Sequence, residues 1–200
     1  MKLKLVILAG IAALGLAAPA AAGELKLAQI SSYLNDLKTV RAEFTQINDD
    51  GSISTGDLLI SRPGRIRFQY DPPENSLVLA ERNSVAVFDS KSNQPPDLFP
   101  LRQTPLNLIL ARKVDLSRER MVVAFESTDA MTTVTAQDPN NPEYGTIQLV
   151  FTNDPVQLRQ WVVTDGAGQR TTLVLGKMVL GEKLPRSLFD IDQESRARGF

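Results

Sequence analysis

From Val40 to Leu180 the chain keeps returning to short β-branched or aromatic segments, each ended by residues that turn a backbone round. Val40, Ala42, Phe44 and Gln46 alternate with Arg41, Glu43 and Thr45, and Asp50-Gly51 then gives a hairpin signal. Ile53 to Ser61 returns, Pro63-Gly64 breaks it, and Ile66 to Tyr70 resumes before Asp71-Pro72-Pro73, where prolines cannot donate to a ladder. SLVLAERNSVAVFDS reads as two short strands around Arg82-Asn83. After Arg120 the segments MVVAFES, MTTVTAQ, TIQLVFT, LRQWVVT and RTTLVLGKMVL follow, separated by turn signals at Thr128-Asp129, Asp138 to Pro142, Asn153-Asp154-Pro155 and Asp165-Gly166. Short connections of this kind join antiparallel neighbours. The pattern predicts one antiparallel sheet of about ten or eleven strands.

Helical spacing is confined to a few places. Leu27, Ile30, Leu34 and Leu37 form an apolar stripe, with Gln29, Ser32, Asn35 and Asp36 on the other side, which predicts a helix from Gly23 to about Thr39. In the middle of the chain, the prolines after Asn93 argue against regular structure. Thr104-Pro105 then reads as a cap and first turn. Leu106, Ile109 and Leu110 share one face of the helix that follows, and Leu108 points elsewhere, so this helix is apolar on more than one side. Two or three helices cannot cover both faces of such a sheet. The arrangement expected is a mainly β, half-open barrel with helices across its mouth and an apolar interior, packed or ligand-holding.

Composition narrows the function classes. Lys2 and Lys4 precede an apolar run from Leu5 to Ala18, and Ala20-Ala21-Ala22 fits a small-residue cleavage pattern. Residues 1–22 are therefore expected to be a secretory signal peptide, and 23–200 a single domain. The apolar run is short of the roughly 20 residues a membrane span needs. There is no cysteine, so neither a disulfide nor a lipid-modified cysteine is available. There is no histidine, which removes Ser-His-Asp chemistry and His- or Cys-based metal sites. Carboxylates remain, but no spacing singles out a catalytic pair. The net charge of −1 gives no basic stripe for nucleic acid. The expectation is a protein that is not an enzyme and needs no cofactor and no metal.

GDLLISRPGRIRFQYDPP, from Gly56 to Pro73, holds one anomaly. Alternation puts Leu58, Ile60 and Arg62 on one face, and an unpaired buried guanidinium is costly. Either that face is wet at its end, with the arginine stem covering apolar surface and the head in water, or a partner waits inside. EFTQ (Glu43 to Gln46), GDLLISRPGRIRFQY (Gly56 to Tyr70), PLRQTPLNLILAR (Pro100 to Arg112) and LRQWVVTDGAGQRTTLVL (Leu158 to Leu175) together resemble the carrier of outer-membrane lipoproteins, the LolA type. The resemblance runs over nearly all of the chain after residue 22, in the family's order.

The resemblance implies an incomplete antiparallel β-barrel closed by a helical lid, which agrees with the reading from periodicity. It implies a soluble, monomeric periplasmic chaperone that takes acylated lipoproteins from an inner-membrane ABC transporter. The cargo would pass to an outer-membrane receptor or to the membrane itself. It places Arg62 at a lid-latching position, bonded to backbone carbonyls near Leu34 and near Ile109 and Leu110. It places Ile66 and Phe68, with Leu34, Leu37, Leu58, Ile60, Leu106, Ile109 and Leu110, around the acyl chains. Phe125, Phe151, Trp161 and Leu173 would belong to any β-rich core. A lipid- or lipoprotein-sensing regulatory module of the same fold is the alternative.

Overall fold

The computed structural model describes residues 24–117 and 120–200. The residues expected to form a signal peptide lie outside that range. Helix α1 (Leu27–Asp36) leads into β1 (Thr39–Ile47), β2 (Ile53–Ser61), β3 (Arg65–Tyr70), β4 (Leu77–Glu81), β5 (Ser84–Phe88) and β6 (Asp97–Pro100). Helix α2 (Leu106–Leu110) follows, then β7 (Val122–Ser127), β8 (Met131–Gln137), β9 (Thr146–Asn153), β10 (Val156–Thr164), β11 (Arg170–Leu175), β12 (Val179–Leu180) and α3 (Ile191–Ala197). All twelve strands join one antiparallel sheet in the order β6-β5-β4-β3-β2-β1-β11-β10-β9-β8-β7, with β12 beside β1. Strand β1 is the seam between two halves, pairing β2 along its whole length and β11 from Phe44 to Ile47. Strands β6 and β7 remain the two open edges, so the barrel is incomplete, as expected.

Alternation decides which face is inside. In β9, Ile147, Leu149, Phe151 and Asn153 are buried and the residues between them are half-exposed. The inner faces carry Val40, Ala42, Phe44, Leu58, Ile60, Ile66, Phe68, Trp161 and Leu173 into one core, together with Ile30 and Leu34 of α1. Edge-to-face contacts link Phe44 to Phe68 at 5.6 Å and Phe68 to Trp161 at 6.4 Å between ring centres. Gly56 is required here: a β-carbon would lie 2.1 Å from the Gln69 carbonyl oxygen.

Several expectations are corrected. Helix α1 is shorter than Gly23 to Thr39, because Leu37 is already extended to feed β1. The proline-rich stretch does hold a strand: β6 pairs with β5, at the sheet edge where proline is tolerated. Thr104 does not cap α2 with its side chain; its hydroxyl donates to Leu101 O (2.8 Å) and only its carbonyl accepts from Asn107 N. RTTLVLGKMVL is two strands, β11 and β12, not one. Phe125 is not core: on edge strand β7 it is 41% exposed.

The convex face is also partly covered. A turn at Arg186–Phe189 and α3 fold back over it, burying Phe189 completely. Ile191 packs on Leu77, Leu79, Ala86 and Phe88 to make a second, smaller core. Arg67 ties this strap down, donating to Leu188 O (3.0 Å) and pairing with Glu194 at 3.2 Å. Asp190 caps α3 by accepting from Gln193 N (2.8 Å).

Candidate functional site

Helices α1 and α2 lie over one end of the barrel, and the loop after α2 stitches them together. Asn35 of α1 holds Val114 from both sides, its side-chain nitrogen donating to Val114 O and its oxygen accepting from Val114 N, each at 2.8 Å. Ser31 accepts from Leu116 N (2.9 Å) while donating to Leu27 O (2.8 Å). Tyr33 anchors α1 to the barrel wall by accepting from Leu158 N (3.0 Å). The turn after β2 anchors α2, with Gly64 N donating to Leu110 O (2.9 Å).

Arg62 stands at the end of β2, under this lid. Its Nη2 donates to Ala111 O at 2.6 Å, and lies 3.5 Å from Asn35 Oδ1, the limit of a hydrogen bond. Its Nε and Nη1 are buried and have no hydrogen-bond partner. Burial pushes the guanidinium pKa down from its ordinary value, yet arginine remains a cation in proteins. The carbonyl at the end of α2 is the partner expected. The expected carbonyl near Leu34 is not: the first helix offers the Asn35 side chain instead, while the Tyr33 and Asn35 carbonyls accept from Leu37 N and Lys38 Nζ.

Around the guanidinium is an apolar cavity of about 20 Å³, lined by Leu34, Leu37, Ile60, Ile109, Leu110, Leu158 and Trp161. That is room for about one water molecule; a small-molecule site takes roughly 300–1,000 Å³. The interior is therefore packed with the lid closed. Of the expected lining, Leu34, Leu37, Ile60, Ile109 and Leu110 reach this cavity. Leu58, Ile66 and Phe68 are buried in the same core below it, and Leu106 packs on that core from α2. Leu158 and Asn35 escaped the sequence reading. Asn35 sat on what looked like the polar side of α1; its position beside Leu34 at the helix end was the available signal.

The family model for outer membrane lipoprotein carrier protein LolA matches residues 35–192 of this chain. The chain belongs to the LolA family. The outer-membrane lipoprotein carrier protein of Coxiella burnetii is 25% identical over 171 residues, covering 81% of this chain and 80% of its own. That of Pseudomonas aeruginosa is 26% identical over 178 residues, covering 82% of each chain. Among solved structures, a LolA superfamily protein from Nitrosomonas europaea has a TM-score of 0.44 at 14% identity, covering 84% of this chain and 99% of that one. An uncharacterized conserved protein from Thermus thermophilus has a TM-score of 0.48 at 10% identity, covering 82% and 93%.

Proposed function

We propose that this LolA-family protein is a periplasmic, non-enzymatic carrier, delivered by cleavage of residues 1–22. It shields the acyl chains of lipoproteins in its apolar interior between an inner-membrane ABC transporter and the outer membrane or a receptor there. Arg62 is the latch, and it carries the proposal. One short charge-assisted bond to Ala111 O holds the lid end, at about 1.5–3 kcal/mol for a bond of this class. Two donors that no protein group meets oppose it, at a cost of about 1–3 kcal/mol each, which the one water the cavity has room for would lower. At the latch, attraction and desolvation are thus of similar size and opposite sign, so the lid is closed but not locked. Acyl chains entering below the lid would displace it, and a lodged guanidinium beside them would favour their later expulsion.

The test is Arg62→Leu, assayed for lipoprotein uptake and for release to outer membranes. Leucine removes the bond that favours the closed, empty state and removes the charge that disfavours the loaded one. Both changes hold cargo in place. The expected outcome is normal uptake, strongly impaired release and a melting temperature close to that of the native protein, since replacing a poorly paired buried charge by an apolar group costs little. Arg62→Lys keeps the charge without the planar fork and should be intermediate. Release at the native rate by a stably folded Arg62→Leu protein would reject the latch.

A further inference from the structure

A second cavity, of about 720 Å³, lies on the outer side of the lid, between the Pro63-Gly64 turn, the β4–β5 turn, the end of α2 and the C-terminal strap. Its walls carry Arg65, Arg82, Arg112 and Arg186 against two carboxylates, Glu81 and Asp190. The carboxylates are largely spoken for. Asp190 caps α3 and Glu81 faces Arg82 at 3.6 Å. Arg112 and Arg186 are exposed and make no hydrogen bond or ion pair among the described residues. Arg65 donates from Nη2 to Ser61 Oγ (3.1 Å), and its Nε is buried without a partner. The whole chain is slightly acidic, at net −1, so this concentration of guanidinium groups is local and not a general basicity.

We propose that this cleft is a binding site for the phosphate of an anionic lipid headgroup. Guanidinium forks match phosphate oxygens in geometry as well as charge. The volume is in the range of a small-molecule site, roughly 300–1,000 Å³, and exceeds what a bare phosphate fills. Exposed Pro63 and half-exposed Ala111 give it an apolar margin beside the charges, as the glycerol end of a lipid requires, with Leu101 and Leu110 buried behind it. A concave pocket of this size fits a headgroup better than the flat surface of an acidic protein. Leu110 and Ala111 belong both to this cleft and to the segment that Arg62 and Gly64 hold, so an occupied site would set the end of the lid against a membrane surface.

The experiment is co-sedimentation of the protein at low ionic strength with vesicles of phosphatidylcholine alone or of equal parts phosphatidylcholine and phosphatidylglycerol. No lipoprotein is present, so the result is independent of the carrier reading. The native protein should bind only the anionic vesicles, with glycerol phosphate competing. Each arginine near an anionic surface is worth about fivefold, so Arg112→Ala with Arg186→Ala should lose at least about tenfold in binding. The control pair Lys177→Ala with Lys183→Ala, outside the cleft and equal in charge, should lose clearly less than the test pair, because the attraction falls off with distance from the surface within a Debye length. Both side chains of the test pair are exposed and unpaired, so melting temperature should not move. Equal loss in the two pairs would overturn the site in favour of diffuse attraction. Binding of inorganic phosphate without vesicle binding would overturn the lipid source. Binding of polyglutamate without vesicle binding would replace the lipid by an acidic protein partner.

Discussion

Individual side chains at the lid and in the barrel wall are placed by the balance between desolvation and partnership. Arg62 shows one side of it, with one short bond and two orphaned donors. Tyr70 shows the other. Its hydroxyl donates to Gln46 Oε1 at 2.7 Å, its ring stacks edge-on against Phe44, and burial pushes its pKa from 10.0 up to about 12. The folded protein therefore keeps a proton that the unfolded chain releases near pH 10. Tyr70 contributes its full stability below that pH and loses it as pH rises toward 12. The loss for Tyr70 is about 2–3 kcal/mol, from about 1.4 kcal/mol for each pH unit of difference. Thermal melts taken stepwise across this window should show native stability falling more steeply than that of Tyr70→Phe. Parallel curves would show that Tyr70 ionises as readily in the fold as in water. Tyr33 is also raised by desolvation, so part of the alkaline loss should remain in the Tyr70 variant.

At the scale of elements, the strap after Pro185 is the feature that alternation could not announce. Phe189 is fully buried on the convex face and Phe125 is 41% exposed on edge strand β7. Phe189→Ala should cost about 3–5 kcal/mol, as large-to-small core changes do. Phe125→Ala should stay within about 0.5 kcal/mol. Urea titrations of the two variants decide this, and similar midpoints would mean that the strap is not a stabilising element. The two phenylalanines also show what the sequence could and could not convey. Period-two patterns identified most strands and the inner face through Leu58 and Ile60, because burial on one side of a pleat leaves its mark on every second residue; Ile66 and Phe68 were placed inside by the resemblance to the LolA family. The same pattern cannot tell an edge strand from a central one, which is why Phe125 looked like core. Nor did SLFDIDQESRARGF look like a cover for the sheet, since it is short and mostly polar after Ile191. At the candidate site, Arg62 broke the pattern and so was visible. Asn35 did not break it, because a side chain that bonds a distant loop looks the same in sequence as one that bonds water.

For the molecule as a whole, the central point is that the apolar interior is full. The cavity beneath the lid, about 20 Å³, has no room for an acyl chain, and Phe44, Phe68 and Trp161 fill the barrel below it. No helix among the described residues is long and apolar enough to cross a membrane. A carrier with this interior would have to open, and α1 and α2, held over the cavity by side-chain bonds and not by a β-ladder, are the elements placed to move. The absence of cysteine makes that motion directly measurable, because two introduced thiols are the only ones to label. With spin labels at Asn107→Cys on α2 and Glu74→Cys on the β3–β4 turn, double electron–electron resonance reports the distance between lid and barrel. The free protein should give one narrow distance, and loading with a triacylated lipoprotein should shift it to longer values. Identical distance distributions in the free and loaded protein, with cargo shown to be bound, would contradict the account: acyl chains would then be held without the lid moving, outside the packed interior.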